Sequence, residues 1–393
     1  MHLSLIGRNM ARSNRACQMD WRLGSQFPYA MFWPALAAAS AGEIASLMSE
    51  QILTLSGDAA ADSASQEPEG ATPGTITLEL NSVRLRDFTS GASGTPVLLC
   101  TPLALHGAVL VDLAAGHSLV AALRSAGVDR LLAVEWRSAS ADMQFLGIDD
   151  YLADLNVLVD HLDGLVDLVG LCQGGWLSLL YAARFPAKVR KLVLAGAPVD
   201  IAAEQSGLSA LADATPLAVF QGLVRMGGGR AIGRHISRLW GADRPDAHET
   251  HRSLQTPAPV GSPEFARLEA TFNNWNSWTL DLAGRYYLEV VEKLYKRNEL
   301  ATGEFIALGQ KIDLSHLRLP IFLLAGNVDA VVAPQQLFAL ARLAGTPSES
   351  IPCELAPSDH LGLFIGRLVL EEYWPRIARW IKQEPLSPTS GPS

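Results

Sequence analysis

The part of the chain that most constrains its fold is residues 166–186, VDLVGLCQGGWLSLLYAARFP. It starts as a short apolar run of the kind found in a buried strand and passes through a glycine-containing turn. It then continues with apolar residues at helical spacing. One strand must therefore lead directly into one helix, with Cys172 at the junction. Such a unit is typical of a sheet whose strands are covered by helices.

The segments on either side of this unit alternate between strand-like and helix-like patterns. The strand-like runs are 95–100, 130–136, 166–171, 189–196 and 319–326, and the helix-like runs include 117–127, 148–162 and 174–185. Consecutive parallel strands need long crossovers, which are usually helices. The alternation therefore predicts an α/β fold with a mainly parallel sheet that helices cover on both faces.

Changes in composition divide the chain into several predicted units. These are an N-terminal extension at 1–74 with a short amphipathic helix at about 34–55 and a linker at 56–74, a catalytic domain at 75–393 with a cap insertion at about 199–312, and a disordered tail at about 384–393. The linker is rich in Ser, Pro, Gly and acidic residues. Helical patterns replace the alternation within the insertion, and an insertion of that size between core strands usually covers the active site.

Composition excludes several classes of function. With 49% apolar residues and a net charge of -9, the chain is suited to a large core and unsuited to wholesale binding of nucleic acid or anionic lipid. No apolar stretch reaches the length of about 18 residues needed to span a bilayer, so we expect no membrane span. The 4 cysteines are scattered and form no cluster with histidine at zinc spacing, so we expect no metal site and a cytoplasmic location.

Gly170, Cys172 and Gly174 form the G-x-C-x-G pattern of a nucleophile elbow, with cysteine in the place of the more common serine. The two glycines are needed because a larger side chain would collide with the neighbouring strand and helix. A sulfur at a helix N-terminus is favoured as the thiolate. The alternative is a structural cysteine packed as a small apolar side chain.

Two further residues complete a predicted catalytic triad. In folds with this elbow the acid follows a later strand and the histidine follows the last one. Asp329 follows the run 319–326, and His360 lies in a loop after a short strand-like run. His360 would act as the base and Asp329 would orient it. The alternatives are a loop histidine bound only to backbone, and Asp359 as the acid.

A hole for the oxyanion of the tetrahedral intermediate needs backbone N–H donors. We expect one donor at Gln173, directly after the nucleophile, and a second near Leu105 or His106 in the loop after the run 95–100. We interpret the side chain of His106 as lining the site rather than transferring protons. The aromatic segment from Trp275 to Lys296 favours a core or dimer-contact role over direct contact with substrate.

The segment VDLVGLCQGGWLSLLYAARFPAKVRKLVLAGAPVD strongly resembles the elbow region of polyhydroxyalkanoate synthases, especially the shorter class that works with a second subunit. Further similar segments are VDLAAGHSLV, VEWRSASADMQFLGIDDYL and NNWNSWTLDLAGRYYLEVVEKLYKRNEL. The resemblance covers roughly residues 95–383 and implies an α/β-hydrolase core. Cys172, Asp329 and His360 match the family's nucleophile, acid and base. Three positions differ from the common pattern, namely Ala330 in place of histidine, Leu105–Gly107 where asparagine is common, and Trp176 in place of a small residue.

The resemblance implies an acyltransferase that polymerises 3-hydroxyacyl-coenzyme A through an acyl-cysteine and releases coenzyme A. Coenzyme A would enter as the substrate thioester, with no permanently bound cofactor. The implied partners are the growing polyester and a second synthase subunit or a second copy of the chain, at a polyester granule surface in the cytoplasm. A hydrolase with the same triad, such as a depolymerase, esterase or thioesterase, and a non-catalytic binding or assembly module remain as alternatives.

Overall fold

The computed structural model describes residues 67–239 and 245–383. The amphipathic helix predicted at about 34–55 and the tail predicted at about 384–393 lie outside the described residues. The last part of the predicted linker is described, and it is hydrogen-bonded to the domain that follows it. The Thr72 hydroxyl donates to the Asp112 carboxylate at 2.8 Å, and the Ala71 N–H donates to the Asp112 carbonyl at 2.9 Å.

An eight-stranded sheet organises the domain. Its strands are β1 (Thr75–Glu79), β2 (Val83–Asp87), β3 (Val97–Cys100), β4 (Leu131–Trp136), β5 (Val166–Leu171), β6 (Val189–Ala195), β7 (Ile321–Gly326) and β8 (Cys353–Ala356). Their spatial order is β1-β2-β4-β3-β5-β6-β7-β8. β2 is antiparallel to both of its neighbours, and the strands from β4 to β8 are parallel. The carboxyl ends of the parallel strands therefore meet at one edge, where α/β folds usually bind ligands.

Helices connect the strands and cover both faces of the sheet. They are α1 (Leu119–Ser125), α2 (Ile148–His161), α3 (Gln173–Arg184), α4 (Gly207–Ala214), α5 (Leu217–Met226), α6 (Gly233–Leu239), α7 (Ala247–Leu254), α8 (Pro263–Ser277), α9 (Gly284–Glu289), α10 (Glu299–Thr302), α11 (Pro334–Phe338), α12 (Leu340–Leu343), α13 (Gly362–Ile365), α14 (Arg367–Glu372) and α15 (Trp374–Lys382). A π-helix, Val290–Lys296, directly follows α9.

The core consists of two apolar clusters, one on each face of the sheet. Alternate residues of β3 enter different clusters, since Leu98 packs with α2 and α3 whereas Leu99 packs with α1 and α15. All six residues of β5 are buried. This double coverage explains why the central strands read as continuous apolar runs rather than as alternating ones.

The segment between β6 and β7 contains α4 to α10, the π-helix and two short antiparallel strand pairs. We call this segment, residues 196–320, the cap. Its aromatic side chains are largely buried: Phe220, Trp275 and Tyr286 are each 1% exposed. Within the described residues, no single helix has the length and apolar character to cross a membrane, although α4 and α5, bent by 91°, meet that test as a pair.

The junction between β5 and α3 is packed too tightly for side chains at its glycines. A Cβ atom on Gly174 would lie 2.2 Å from the Cys100 carbonyl oxygen and 2.4 Å from that of Thr101. A Cβ atom on Gly170 would lie 2.6 Å from the Gly175 Cα atom. The neighbouring atoms are backbone and have little room to move, so the two glycines are required by close approach.

We therefore expect Gly174→Ala to lower the free energy of unfolding by about 3 kcal/mol, because the methyl group would collide with the backbone of β3. Gly222→Ala in α5 is the matched control, since the nearest atom to its new Cβ lies 3.8 Å away at the end of the Arg225 side chain. That change should raise stability by about 0.5–1 kcal/mol. Chemical unfolding of both variants measures the difference, and equal stabilities would contradict the packing argument.

Candidate active site

Cys172 occupies the turn between β5 and α3 with φ 48° and ψ -119°. A positive φ is uncommon outside glycine and is sustained only where the surroundings enforce it. Here the Cys172 N–H donates to the Ala195 carbonyl oxygen of β6 at 2.9 Å, and its carbonyl accepts from the Gly175 N–H at 2.9 Å. The side chain is thereby held at the carboxyl edge of the sheet and at the N-terminus of α3. The residue is 8% exposed.

Asp329 and His360 meet at the same edge, although 31 positions separate them in the sequence. The His360 Nδ1 atom lies 2.7 Å from the Asp329 Oδ2 atom. The other carboxylate oxygen of Asp329 accepts from the backbone N–H groups of Val331 and Val332, each at 2.8 Å. The Asp329 side chain is fully buried, so its orientation is set by these bonds. Because Nδ1 of the imidazole contacts Asp329, Nε2 is the ring nitrogen that is left to interact with other groups.

Three effects set the pKa of His360. Burial alone would lower the pKa, but the negative charges of Asp329 and Cys172, together with hydrogen bonding to both side chains, outweigh burial. The pKa of His360 is therefore raised well above its usual range. A protonated imidazole between a carboxylate and a sulfur is the arrangement of a thiolate–imidazolium pair.

The carboxylate of Asp359, the alternative acid, is bound elsewhere. Its Oδ2 atom accepts from the Ser253 hydroxyl at 2.7 Å, and its Oδ1 atom accepts from the Gly362 N–H at 2.8 Å. Asp359 therefore helps to hold the loop that carries His360, whereas Asp329 contacts the imidazole directly.

The loop after β3, residues 101–107, lies beside the elbow because Gly174 packs against its first carbonyl groups. Among residues 67–239 and 245–383, the N–H groups of Leu105 and His106 have no hydrogen-bond acceptor. The N–H of Gln173, at the first position of α3, is one of the donors that a helix leaves unused at its N-terminus. These are the donors that the sequence predicts for an oxyanion hole.

The cap is bound to this loop at several points. The Leu280 N–H donates to the Leu105 carbonyl at 2.7 Å, and the Tyr286 hydroxyl donates to the Leu103 carbonyl at 3.2 Å. A Cβ atom on Gly107 would lie 2.6 Å from the Trp278 ring. The cap therefore covers the site from the side of the loop and holds that loop in place.

The His106 ring is held between the loop and the cap. Its centroid lies 4.7 Å from that of Trp275, and its Nδ1 atom lies 3.4 Å from the Trp278 carbonyl oxygen. Burial lowers the pKa of His106 to about 4, against a smaller opposing effect of the Trp278 carbonyl. The ring is therefore neutral near pH 7.

The chain is similar in sequence to several polymerase subunits of known proteins. Over 300 residues the chain is 30% identical to the poly(3-hydroxyalkanoate) polymerase subunit PhaC of Synechocystis sp., an alignment that covers 73% of this chain and 78% of the relative. The chain belongs to the poly(3-hydroxyalkanoate) polymerase family. The polymerase subunit PhaC of Allochromatium vinosum is 25% identical over 74% of this chain and 82% of its own length.

The predicted fold is confirmed by a family model described as alpha/beta hydrolase fold, which matches residues 135–366 of this chain. A solved esterase from Thermogutta terrifontis aligns with a TM-score of 0.45 and 17% identity, covering 79% of this chain and 98% of that one. The strand order and the elbow agree with the predicted α/β-hydrolase fold of this polymerase-family member.

The structure brings the predicted Cys172, Asp329 and His360 to one buried place, and their catalytic roles remain predictions. Within the described ranges, no group of three or more His, Cys, Asp or Glu residues could hold a metal ion.

One contact at the site was not predicted from the sequence. Tyr295, in the π-helix of the cap, accepts a hydrogen bond from the Gln173 side chain at 2.9 Å. The aromatic pattern from Trp275 to Lys296 favours core or dimer packing over contact with substrate. Nothing in the spacing of this segment indicates that its helix widens into a π-turn, a feature that is frequent at functional sites.

The Asp329–His360 pair predicts a dependence of stability on pH. Because the folded pKa of His360 is raised, the stability that its protonated form contributes is fully present below the unfolded pKa of about 6.5 and is lost as the pH rises through the folded pKa. Asp329→Asn should therefore cost about 3 kcal/mol near pH 6 and progressively less at higher pH. Unfolding measured across this range tests the expectation, and ¹³C-histidine NMR should show the His360 titration moving to lower pH.

Asp359→Asn is the control for this change, because Asp359 neighbours His360 in sequence without contacting the imidazole. Its stability cost should not follow the titration of His360. If both variants gave the same pH profile, the coupling of His360 to Asp329 would be wrong.

Proposed function

We propose that this protein is a polyhydroxyalkanoate synthase-like acyltransferase, which polymerises 3-hydroxyacyl-coenzyme A through a covalent acyl-cysteine and releases coenzyme A. Membership of the polymerase family supports the reaction class. The observation that carries the mechanism is the 2.7 Å contact between His360 and Asp329, together with the charge of Cys172 acting on the same imidazole.

The first half-reaction loads the acyl group. His360 holds the proton of the Cys172 thiol, and the thiolate attacks the thioester carbonyl carbon. The N–H of Gln173 and an N–H at Leu105 or His106 stabilise the oxyanion. The carbon–sulfur bond to coenzyme A then breaks, and the leaving thiolate takes up the proton that His360 held, which leaves the imidazole neutral. One thioester replaces another, so loading is close to isoenergetic and reversible.

The second half-reaction forms the ester. His360 removes the proton from the hydroxyl group of an acceptor, the hydroxyl oxygen attacks the acyl-cysteine carbonyl, and the Cys172 sulfur leaves and is reprotonated by the imidazolium. Asp329 stabilises the positive charge on His360 in both half-reactions. The acceptor is a second hydroxyacyl group, and the coenzyme A thioester acts only as substrate.

Burial of the site favours polymerisation over hydrolysis. Cys172 and His360 are each 8% exposed under the cap. An acyl-cysteine held in a closed site meets little water, so an alcohol bound in that site can compete for it. A thioesterase or depolymerase would instead need an ordered route for water to the sulfur.

The partners and location follow from the same proposal. The matched relatives are named as polymerase subunits, which supports a second subunit or a second copy of the chain as partner. The product is a water-insoluble polyester, so we place the working enzyme at the surface of a polymer granule in the cytoplasm.

We expect Cys172→Ala to abolish coenzyme A release from 3-hydroxybutyryl-coenzyme A, with a loss on the order of 10³-fold or more, because the change removes the sulfur that carries the acyl chain. Chromatography quantifies coenzyme A, polymer and free hydroxy acid, and mass spectrometry detects the acyl-enzyme in a single turnover. Cys172→Ser should also lose most activity, since the serine hydroxyl is far less acidic.

Cys100→Ala is the matched control. Cys100 is also a free cysteine, but it is fully buried in β3, where burial raises its pKa to about 12. This variant should keep acyl loading within a few-fold of the wild type. Free hydroxy acid as the sole product would favour the hydrolase, and absence of both acyl-enzyme and coenzyme A release would favour a binding or assembly module.

A further inference from the structure

Two consecutive hydrogen bonds connect α3, the helix after the nucleophile, to the cap. The Trp176 Nε1–H donates to the Gln173 Oε1 atom at 2.5 Å. The Gln173 Nε2 atom in turn donates to the Tyr295 hydroxyl oxygen at 2.9 Å. Gln173 directly follows Cys172, so the two bonds lie in the immediate neighbourhood of the sulfur.

The direction of these bonds is fixed by chemistry. An indole N–H can only donate, so Gln173 must present its oxygen to Trp176 and its NH₂ group to Tyr295. The Tyr295 oxygen is then an acceptor, and its own hydrogen is not used in these two bonds. Within the described parts of the chain, Tyr295 makes no other hydrogen bond, so its O–H remains available as a donor.

The phenol of Tyr295 lies in the electrostatic field of the site. Burial raises the pKa of Tyr295 well above its usual range, and the charges of Cys172 and Asp329 contribute to the increase. The hydroxyl is therefore protonated at every pH at which the enzyme would act. The nearby Tyr286 differs, because its hydrogen is already donated to the Leu103 carbonyl.

A hydroxyacyl thioester has two polar positions near the reacting carbon. Its carbonyl oxygen is served by the backbone donors of Gln173 and of the loop after β3. Its hydroxyl group needs a donor of its own, and Cys172 is packed within an apolar cluster that offers few. A site that hydrogen-bonds a substrate hydroxyl discriminates against analogues that lack it.

We propose that the Tyr295 O–H, oriented through Gln173 by Trp176, binds the hydroxyl oxygen of the hydroxyacyl group and selects hydroxyacyl over unsubstituted acyl thioesters. This inference rests on the proposed acyl-cysteine chemistry. Tyr295 contacts substrate, whereas Trp176 is a positioning residue that acts through Gln173. It also gives a role to Trp176, which stands where the family commonly has a small residue.

The test compares the loading of Cys172 by 3-hydroxybutyryl-coenzyme A and by butyryl-coenzyme A in single turnovers, with acylation followed by mass spectrometry. Tyr295→Phe should reduce the ratio of the two rate constants about tenfold, the change that one ordinary hydrogen bond carries. The loss should fall on the hydroxylated substrate alone, because butyryl has no hydroxyl group to bind.

Tyr287→Phe is the matched control. Tyr287 lies in α9 of the same segment, and its buried hydroxyl has no hydrogen-bond partner within the described residues. This variant should keep the wild-type ratio. Trp176→Phe frees the Gln173 amide to rotate and to accept the Tyr295 hydrogen, so it should reduce the ratio several-fold while Tyr295 itself is intact.

The outcomes separate this inference from the proposed function. If both substrates load on the wild type and Tyr295→Phe leaves the ratio unchanged, or slows both substrates equally, the assignment of Tyr295 is overturned and the acyl-cysteine chemistry stands. If neither substrate acylates wild-type Cys172, both proposals are overturned. If Tyr295→Phe fails to fold, a wild-type ratio in Trp176→Phe overturns the assignment.

Discussion

The strained turn at Cys172 is the constraint on which the rest of the site depends. A cysteine with φ 48° is held by one hydrogen bond to β6, by one to α3 and by the absence of side chains at Gly170 and Gly174. The packing of β3 against α3 stabilises a backbone conformation that a free chain would rarely adopt. This conformation places the sulfur at the carboxyl edge of the parallel strands. The loops that follow β7 and β8 at that edge carry Asp329 and His360.

Burial gives the site its chemical character. A half-solvated histidine would titrate near its usual pKa, and a buried one without a charged partner would be neutral, as His106 is. At His360 the charges of Asp329 and Cys172 outweigh the cost of burial, so the imidazole of His360 is protonated. Two histidines in one enclosed region therefore differ in charge because of the groups that face them. One is suited to move protons, and the other is suited to pack against Trp275.

The cap contributes more than enclosure. Its bonds to Leu103 and Leu105 hold the loop that carries the predicted oxyanion donors. Its π-helix brings Tyr295 to Gln173, so the residue after Cys172 is held through its backbone in α3 and through its side chain by the cap. The loading of an acyl group and the positioning of the next hydroxyl group would thus both depend on the turn at Cys172 and Gln173. The loop after β3 and the π-helix of the cap would each contribute contacts there.

The α/β fold, the strand–turn–helix unit at Cys172 and the placement of Asp329 and His360 after later strands could all be predicted from the amino-acid pattern alone. These features depend on local patterns: apolar runs of strand length, glycines on both sides of Cys172, and polar residues directly after strands. The tertiary structure decided which of Asp329 and Asp359 contacts His360, that His106 is neutral, and that Tyr295 reaches Gln173 across 122 positions. Such contacts depend on how the cap and loops pack on the sheet edge and on a change of hydrogen-bond register within one helix, which residue spacing does not encode.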